Sequence, residues 1–246
     1  MNTMAPNLHQ LWVYLAASPL LGLTATLIAY LIGVRLHERS GFNPVVNPLL
    51  IAVVILGTLL TVTHTPYKTY FDGAQFVHFL LGPATVALAV PLYQQWAKLR
   101  RHAIPLMIGL LAGSVVAVVS AVGIAWLLGA SPETLRSMAP KSVTIPIAMG
   151  ISEKIGGAPT ITAVLVLITG IVGATTTTRL LNLLRIREYS VRGFATGIAA
   201  HGIGTARAFQ VSAEMGAYAG LGMGLNGVLT ALLAPWLVPL MLRWMS

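Results

Sequence analysis

The stretch that decides the fold is APKSVTIPIAM at positions 139–149, which lies between two long apolar segments. It contains Pro140 and Pro146, together with Lys141 and two hydroxyl side chains. Proline has no backbone N–H and its ring clashes with the preceding turn, so a continuous helix is not expected here. Because lipid cannot satisfy the freed backbone groups, such a broken segment must face protein or water.

Lys141 is the most unusual residue of this stretch. An ammonium deep in a bilayer costs roughly 3 kcal/mol on insertion scales unless another group compensates its charge. We interpret the compensating group as a carboxylate substrate. The alternative is that Lys141 lies at a helix end and extends its ammonium to the membrane interface.

The composition is that of a membrane protein. Of the 246 residues, 56% are hydrophobic and 9% are charged, whereas soluble domains carry about 25% charged residues. We therefore predict an all-α polytopic membrane protein, a single transmembrane domain over residues 1–246 with roughly seven hydrophobic segments, some interrupted or re-entrant.

The formal net charge is +9, which in a soluble chain would suggest a nucleic-acid partner. Here most cations fall in short loops, where they set orientation and contact anionic lipid, so no nucleic acid is predicted. The absence of cysteine excludes disulfides and thiolate metal sites.

The distribution of Lys and Arg predicts the topology. Residues 1–10 contain neither, and cations at 35–39 follow the first apolar stretch, 11–34, so the N-terminus is predicted outside. Residues 63–73 are predicted as a polar outer loop. If 138–152 enters and returns on the same side, the arginines at 185–192 fall inside, so we favour a re-entrant segment there. Residues 192–210 are predicted as a second interrupted segment.

Two short strings recur 57 residues apart. PLLIA at 48–52 matches PLMIG at 105–109, and GPATVAL at 82–88 matches APKSVTI at 139–145. Interrupted segments in corresponding positions of an internal repeat are a sequence indication of a transporter binding site. Since the spacing covers two predicted crossings, the pattern favours a parallel repeat over an inverted one.

A small hydroxy- or keto-acid needs a positive field for its carboxylate and hydrogen bonds for its second oxygen. Lys141 supplies a point charge, and Arg207 can hold a carboxylate through two parallel bonds. The other predicted substrate-binding residues offer hydroxyls or an amide: Ser142, Thr144, Thr85, Thr205 and Asn226. Alternatively, Arg207 pairs with Glu214 and the hydroxyls bond within their own helices.

Proton coupling would need titratable groups near the broken segments. The candidates are Asp72, His78, Glu153, His201 and Glu214. Imidazole titrates nearest physiological pH, although a histidine between small residues is often a hydrogen-bonded structural residue. No acidic pair at metal-site spacing and no His-Glu-x-x-His or nucleophile–base motif is present, so no metal, cofactor or enzymatic activity is predicted.

Glycines at 216, 220 and 224 repeat every four residues. Such a stripe lets helices approach closely within a protomer or between protomers, and we expect a homo-oligomer.

Several strings carry a resemblance to a known family: YFDGAQFVHFLLGPATVA at 70–87, the 139–149 stretch, SEKIGG at 152–157, HGIGTARA at 201–208 and MGLNG at 223–227. Over about 47–233 the chain resembles the LrgB/CidB family, which includes the plastid glycolate/glycerate translocator. TTTTR at 175–179 departs from the family pattern, where a Gly-Pro helix end is expected.

The resemblance implies a multi-pass protein of the bacterial inner membrane with a small hydrophobic LrgA/CidA-type partner. It also implies two functions: holin-like or antiholin-like control of murein hydrolase activity and autolysis, and transport of pyruvate, lactate, glycolate or glycerate. A lesion-forming oligomer needs no cation inside broken helices, whereas an anion carrier does. We therefore favour monocarboxylate transport, with the holin-like regulator as the alternative.

Overall fold

The computed structural model describes residues 19–43, 46–80, 83, 86–87 and 89–245, and these contain helices and no strand. Four of the helices are long and apolar enough to cross a membrane, and one further apolar helix is shorter. The all-α membrane fold is confirmed, while the count of seven segments is not. The chain divides into two compact units, Met1–Ala87 and Leu88–Ser246, and the single transmembrane domain stays a prediction.

The first unit contains α1 (Pro19–Arg39), α2 (Pro48–Val62) and α3 (Tyr67–Phe79). Asn47 caps α2 by accepting backbone hydrogen bonds from the first turn, and α1 packs against both α2 and α3. The predicted outer loop at 63–73 is wrong in its second half, because α3 begins at Tyr67. Aromatic contacts between successive turns offset the polar composition of this segment.

The second unit contains the broken segments. In chain order its helices are α4 (Ala89–Gln94), α5 (Trp96–Arg101), α6 (Ala103–Leu127), α7 (Pro132–Met138), α8 (Ile145–Lys154), α9 (Pro159–Leu183), α10 (Tyr189–Val211) and α11 (Ala213–Met245).

Helices α7 and α8 form a re-entrant hairpin, here called the first hairpin (residues 132–154). With 10 residues, α8 is about 15 Å long, half of what a bilayer crossing needs. At the start of α9, Ala158 donates its N–H to Ser137 Oγ (2.8 Å) and Thr162 donates its hydroxyl to the Ser137 carbonyl (2.9 Å). The chain has therefore returned to the level of α7, and the predicted re-entrant segment is confirmed.

The second hairpin is α10, whose direction reverses at His201. That residue has φ 41° and ψ −135° in an otherwise helical segment. A Cβ on Gly193 would lie 2.1 Å from the Met215 carbonyl oxygen, so residues 22 positions apart lie side by side. The first arm (189–200) and the second arm (202–211) thus enter and leave at the same end. The interruption was predicted from the sequence, whereas the reversal of direction was not.

The order of a long helix followed by a hairpin occurs twice. Helices α6 and α9 each have 25 residues, and the two hairpins start 57 residues apart, at 132 and 189. In each copy of the repeat the long helix crosses once and the hairpin returns to the end at which it entered, so the second copy runs in the opposite direction to the first. Within 103–211 the repeat is therefore inverted. The predicted parallel repeat pairs 48–88 with 105–145 and stays a prediction, because part of its first copy lies outside the described residues.

Candidate functional site

A cavity of about 640 Å³ lies between α6 and the first arm of the second hairpin, and the tip of the first hairpin closes one end of it. Helix α6 contributes one face: Pro105, Leu106, Gly109, Gly113, Val116 and Ala117. The first arm of α10 contributes the other: Ser190, Val191, Phe194, Ala195, Ile198 and Ala199. His102 and Tyr218 complete the wall, with Lys141 and Ser142 at the hairpin tip.

Lys141 is half-buried and lines this cavity. Its ammonium donates to Ser142 Oγ at 3.4 Å, and no carboxylate in the described part of the chain lies within ion-pair distance of it. Lys141 lies in the break between α7 and α8, directly after the buried Pro140. The ammonium therefore lies at a break in the backbone and lines the cavity.

Asn226 on α11 joins the two hairpins. Its amide donates to the Ser142 carbonyl at 3.3 Å and to the Ile198 carbonyl at 3.0 Å. Its oxygen accepts from Ser114 Oγ at 2.6 Å. Since Ser114 lies near the middle of α6, the tip of the first hairpin reaches half-way through the unit.

Tyr218 on α11 provides a free donor at the cavity wall. The residue is fully buried, yet its hydroxyl has no hydrogen-bond partner among the described residues. A buried hydroxyl without a partner costs about 1–3 kcal/mol, so such groups usually serve a ligand or an ordered water. Tyr218 packs with Leu110, Phe194 and Ile198.

An ion cluster closes the end of the unit from which the second hairpin enters, here called the basic end because it carries α5 and the arginines at 185 and 187. Lys98 on α5 pairs with Glu214 and lies 3.5 Å from Glu188. The hydrogen bond that the Lys98 ammonium donates to Glu214 raises the pKa of Lys98, and partial burial opposes this only in part. Lys98 thereby ties the start of α10 to the start of α11.

Only two of the predicted substrate-binding residues line the cavity, Lys141 and Ser142. Asn226 lies behind them, and the Thr205 hydroxyl donates to the His201 carbonyl at 2.8 Å within its own helix. Thr144 is the N-cap of α8 and its side chain makes no capping bond. Thr85 lies outside the described residues.

Arg207 does not join Lys141 at this cavity. It lies on the second arm, past the reversal at His201, and donates from Nη1 to Gln210 Oε1 at 3.0 Å. Its Nε is buried without a partner in the described chain. The alternative ion pair with Glu214 is wrong as well, since Glu214 binds Lys98. The spacing of seven residues predicted Arg207 and Glu214 on one face of a single helix. In the structure Ser212 is extended, so the two residues lie on different helices.

The candidates for proton coupling are dispersed. His201 is buried and its Nε2 lies 2.9 Å from the Val166 carbonyl oxygen, which is the structural alternative weighed above. Asp72 and Glu153 are exposed, Glu214 is ion-paired, and only the backbone of His78 is described. Among the described residues, no group of three or more His, Asp or Glu side chains could hold a metal ion.

Sequence reasoning missed the walls of the site. His102 lines the cavity near the basic end, and its Nδ1 lies 2.8 Å from the Lys98 carbonyl oxygen. Gly109 and Gly113 lie four residues apart on α6, which is the spacing of the glycines at 216, 220 and 224 in the last helix. In that last helix Gly216 packs against Phe209, whereas nothing described lies within 4 Å of a Cβ at 220 or 224, so close approach between protomers at these two glycines stays a prediction.

Comparisons with known proteins identify the family of the chain. The model of the LrgB-like family matches residues 26–240, which extends the predicted region of 47–233 at both ends. The chain is 35% identical to YwbG of Bacillus subtilis over 222 residues, covering 90% of this chain and 98% of that protein. No solved structure matches the chain.

Two relatives have names that describe a function. The holin-like protein CidB of Staphylococcus epidermidis is 30% identical over 213 residues, covering 87% of this chain and 93% of that protein. The antiholin-like protein LrgB of Bacillus mycoides is 31% identical over 222 residues, covering 90% and 96%. With a family model that spans most of the sequence and relatives aligned over nearly their whole length, the chain belongs to the LrgB family of membrane proteins.

Proposed function

We propose that this protein is a transporter of small monocarboxylates, which bind with their carboxylate at Lys141. The observation that carries the proposal is the half-buried Lys141 ammonium, which has no carboxylate partner among the described residues and lies at the end of the cavity. A buried cation without a counter-ion is costly, and a carboxylate supplies both the charge and the hydrogen-bond acceptors that compensate it.

The architecture supports transport for a second reason. Many secondary transporters bind their substrate at the bilayer midplane, where broken helices of inverted repeats meet. Here the two hairpins enter from opposite ends and are joined by Asn226. Rocking of one repeat against the other would open the cavity to alternate sides.

The charge distribution supports an orientation. The basic end carries Lys98, Arg100, Arg101, Arg185 and Arg187. By the positive-inside rule this end faces the cytoplasm of the bacterial inner membrane. The proposal also includes an outside N-terminus, proton coupling, a homo-oligomer and a small LrgA/CidA-type partner.

Uptake into proteoliposomes tests the proposal. The wild-type protein is compared with Lys141→Met, using labelled pyruvate, lactate and glycolate. Hydrogen bonds to a charged group contribute about 1.5–3 kcal/mol, so Lys141→Met is expected to lower uptake about 10- to 100-fold. Lys154→Met is the matched control, because Lys154 is an exposed lysine of the same hairpin outside the cavity. Equal uptake by the wild-type and Lys141→Met proteins would contradict the proposed site.

The second candidate function is a holin-like or antiholin-like regulator of murein hydrolase activity and autolysis, which the names of the two relatives favour. The same vesicles distinguish it. A lesion releases trapped dyes of either charge without saturation, whereas a carrier retains the dyes and saturates with substrate. Dye release that is unaffected by Lys141→Met, with no uptake of any acid in the presence or absence of the small partner, would favour the regulator.

A further inference from the structure

We infer that the cavity selects monocarboxylates with an apolar tail, such as straight or branched alkyl acids, over hydroxy acids such as glycolate and glycerate. The carboxylate lies at Lys141 and the tail extends along Leu106, Phe194 and Ile198 toward the basic end. This inference rests on the proposed function and names the substrate class of the same site.

The size of the cavity is the first argument. A volume of about 640 Å³ falls within the range of roughly 300–1,000 Å³ typical of ligand pockets. At about 30 Å³ for each water in the liquid, it would hold roughly 20 waters. A molecule as small as glycolate would fill a minor part of this space and leave the rest to water against apolar walls.

The chemistry of the wall is the second argument. Among the described residues that line the cavity, Ser142 is the one other polar side chain near Lys141. Its hydroxyl accepts from the ammonium and has one O–H left, which can donate to the substrate carboxylate, and its carbonyl accepts from Asn226. The hydroxyls of glycerate would therefore find few partners, and a polar group buried without partners is penalised. The aliphatic and aromatic side chains of Leu106, Phe194 and Ile198 suit an alkyl tail.

The shape of the cavity gives the tail a direction. A Cβ on Gly113 would lie 3.2 Å from the Ile198 side chain, whereas a Cβ on Gly109 would meet nothing closer than Phe194 at 3.9 Å. The two walls are therefore closest beside the hairpin tip and separate toward the basic end. Tyr218 precedes Asn226 by eight residues of α11, which sets it about 12 Å from the level of Ser142.

Burial of the tail predicts a chain-length series. Each buried methylene contributes about 0.8 kcal/mol, equivalent to about fourfold in affinity. Hexanoate has three more methylenes than propanoate and is expected to bind about 50-fold more tightly. Glycolate is expected to bind no better than propanoate.

Direct binding is the appropriate measurement, because alkyl acids cross lipid bilayers in their neutral form. The full-length protein, purified in detergent and immobilised on scintillation beads, binds labelled hexanoate in competition with propanoate, glycolate and hexylamine. Lys141→Met tests the carboxylate contact, and Gly109→Leu fills the wider part of the cavity. Gly123→Leu is the matched control, since Gly123 is a glycine of the same helix outside the cavity with open space around its Cβ position.

The inference expects hexanoate to compete best, Lys141→Met to abolish binding, Gly109→Leu to weaken it at least tenfold, and Gly123→Leu to leave it unchanged. Glycolate that competes as well as hexanoate, with dependence on Lys141, would overturn the inference and leave the proposed function intact. Binding of hexylamine equal to that of hexanoate, or no Lys141-dependent binding of any acid, would overturn both.

Discussion

The two re-entrant hairpins occupy equivalent positions in the inverted repeat, yet they differ in what breaks their helices. The first is interrupted by Pro140 and Pro146, and its tip presents Lys141 to the cavity. The second contains no proline between 189 and 211. It reverses at His201, whose ring nitrogen lies at hydrogen-bond distance from the Val166 carbonyl oxygen.

The difference indicates a division of labour between the two copies. The first hairpin supplies the charge, and its break is built into the local sequence. The second supplies an apolar wall through Phe194 and Ile198, and its reversal depends on contacts with α9 and α11. We therefore expect substitutions in the second hairpin to affect folding, and those at the tip of the first to affect ligand binding.

The largest expected effect is at Gly197 in the second hairpin. A Cβ there would lie 2.0 Å from the Ala219 carbonyl oxygen, a backbone atom that cannot move alone. Gly197→Ala is expected to destabilise the protein by about 3 kcal/mol or more, measured by SDS-induced unfolding in mixed micelles. Gly150→Ala in the first hairpin is the control, because nothing described lies within 4 Å of its Cβ position. Equal stability of the Gly197→Ala and Gly150→Ala variants would contradict the expected difference between the two hairpins.

Asn226 tests whether the hairpins depend on one another. Asn226→Leu removes bonds to Ser142, Ile198 and Ser114, each worth about 1 kcal/mol, and leaves buried carbonyls unpaired. We expect a loss of about 2–3 kcal/mol in unfolding free energy, together with weaker Lys141-dependent uptake. Thr230→Val, which removes only one bond to Asn226, should cost less than half as much. If Asn226→Leu lost the expected stability but showed unchanged uptake per folded molecule, Asn226 would join the hairpins without contributing to substrate binding.

His201 allows backbone strain to be separated from hydrogen bonding. His201→Ala and His201→Gly both lose the contact with Val166, but only alanine retains a Cβ at φ 41°. We expect the glycine variant to be more stable than the alanine variant by about 1 kcal/mol. Thermal unfolding in detergent measures the difference, and an alanine variant at least as stable as the glycine variant would show that the reversal is unstrained.

The smallest expected effect is at the ion cluster of the basic end. Glu214→Gln removes the main partner of Lys98, and because the ammonium is more than one-third exposed, the loss should be at most about 1 kcal/mol. The pKa of Lys98 is raised in the folded state, so this stabilisation is complete below the unfolded value of about 10.4 and disappears as pH rises through the folded value.

Thermal unfolding at pH 7 and above pH 11 measures this effect. The wild-type protein should exceed Glu214→Gln in stability only at the lower pH. Glu153→Gln, which changes an exposed carboxylate at the end of the first hairpin, should have no effect at either pH. A difference between wild type and Glu214→Gln that persists at high pH would assign the stabilisation to packing.

The sequence alone determined the membrane class, the family, the interruption at 139–146 and the presence of a cation in that interruption. These features follow from local rules, since proline acts within one turn and a charge in an apolar segment is visible wherever it occurs. The second interruption was also visible from its glycines and charged residues, although its cause was not.

Only the tertiary structure decided which groups meet. It separated Arg207 from Lys141, gave Glu214 to Lys98 and left the Tyr218 hydroxyl in the cavity wall without a partner among the described residues. It also revealed the inverted repeat within 103–211, because the reversal of the second hairpin at His201 depends on contacts with α9 and α11. Contacts between residues far apart in the chain depend on the packing of whole helices, and for that reason spacing along the sequence could not predict them.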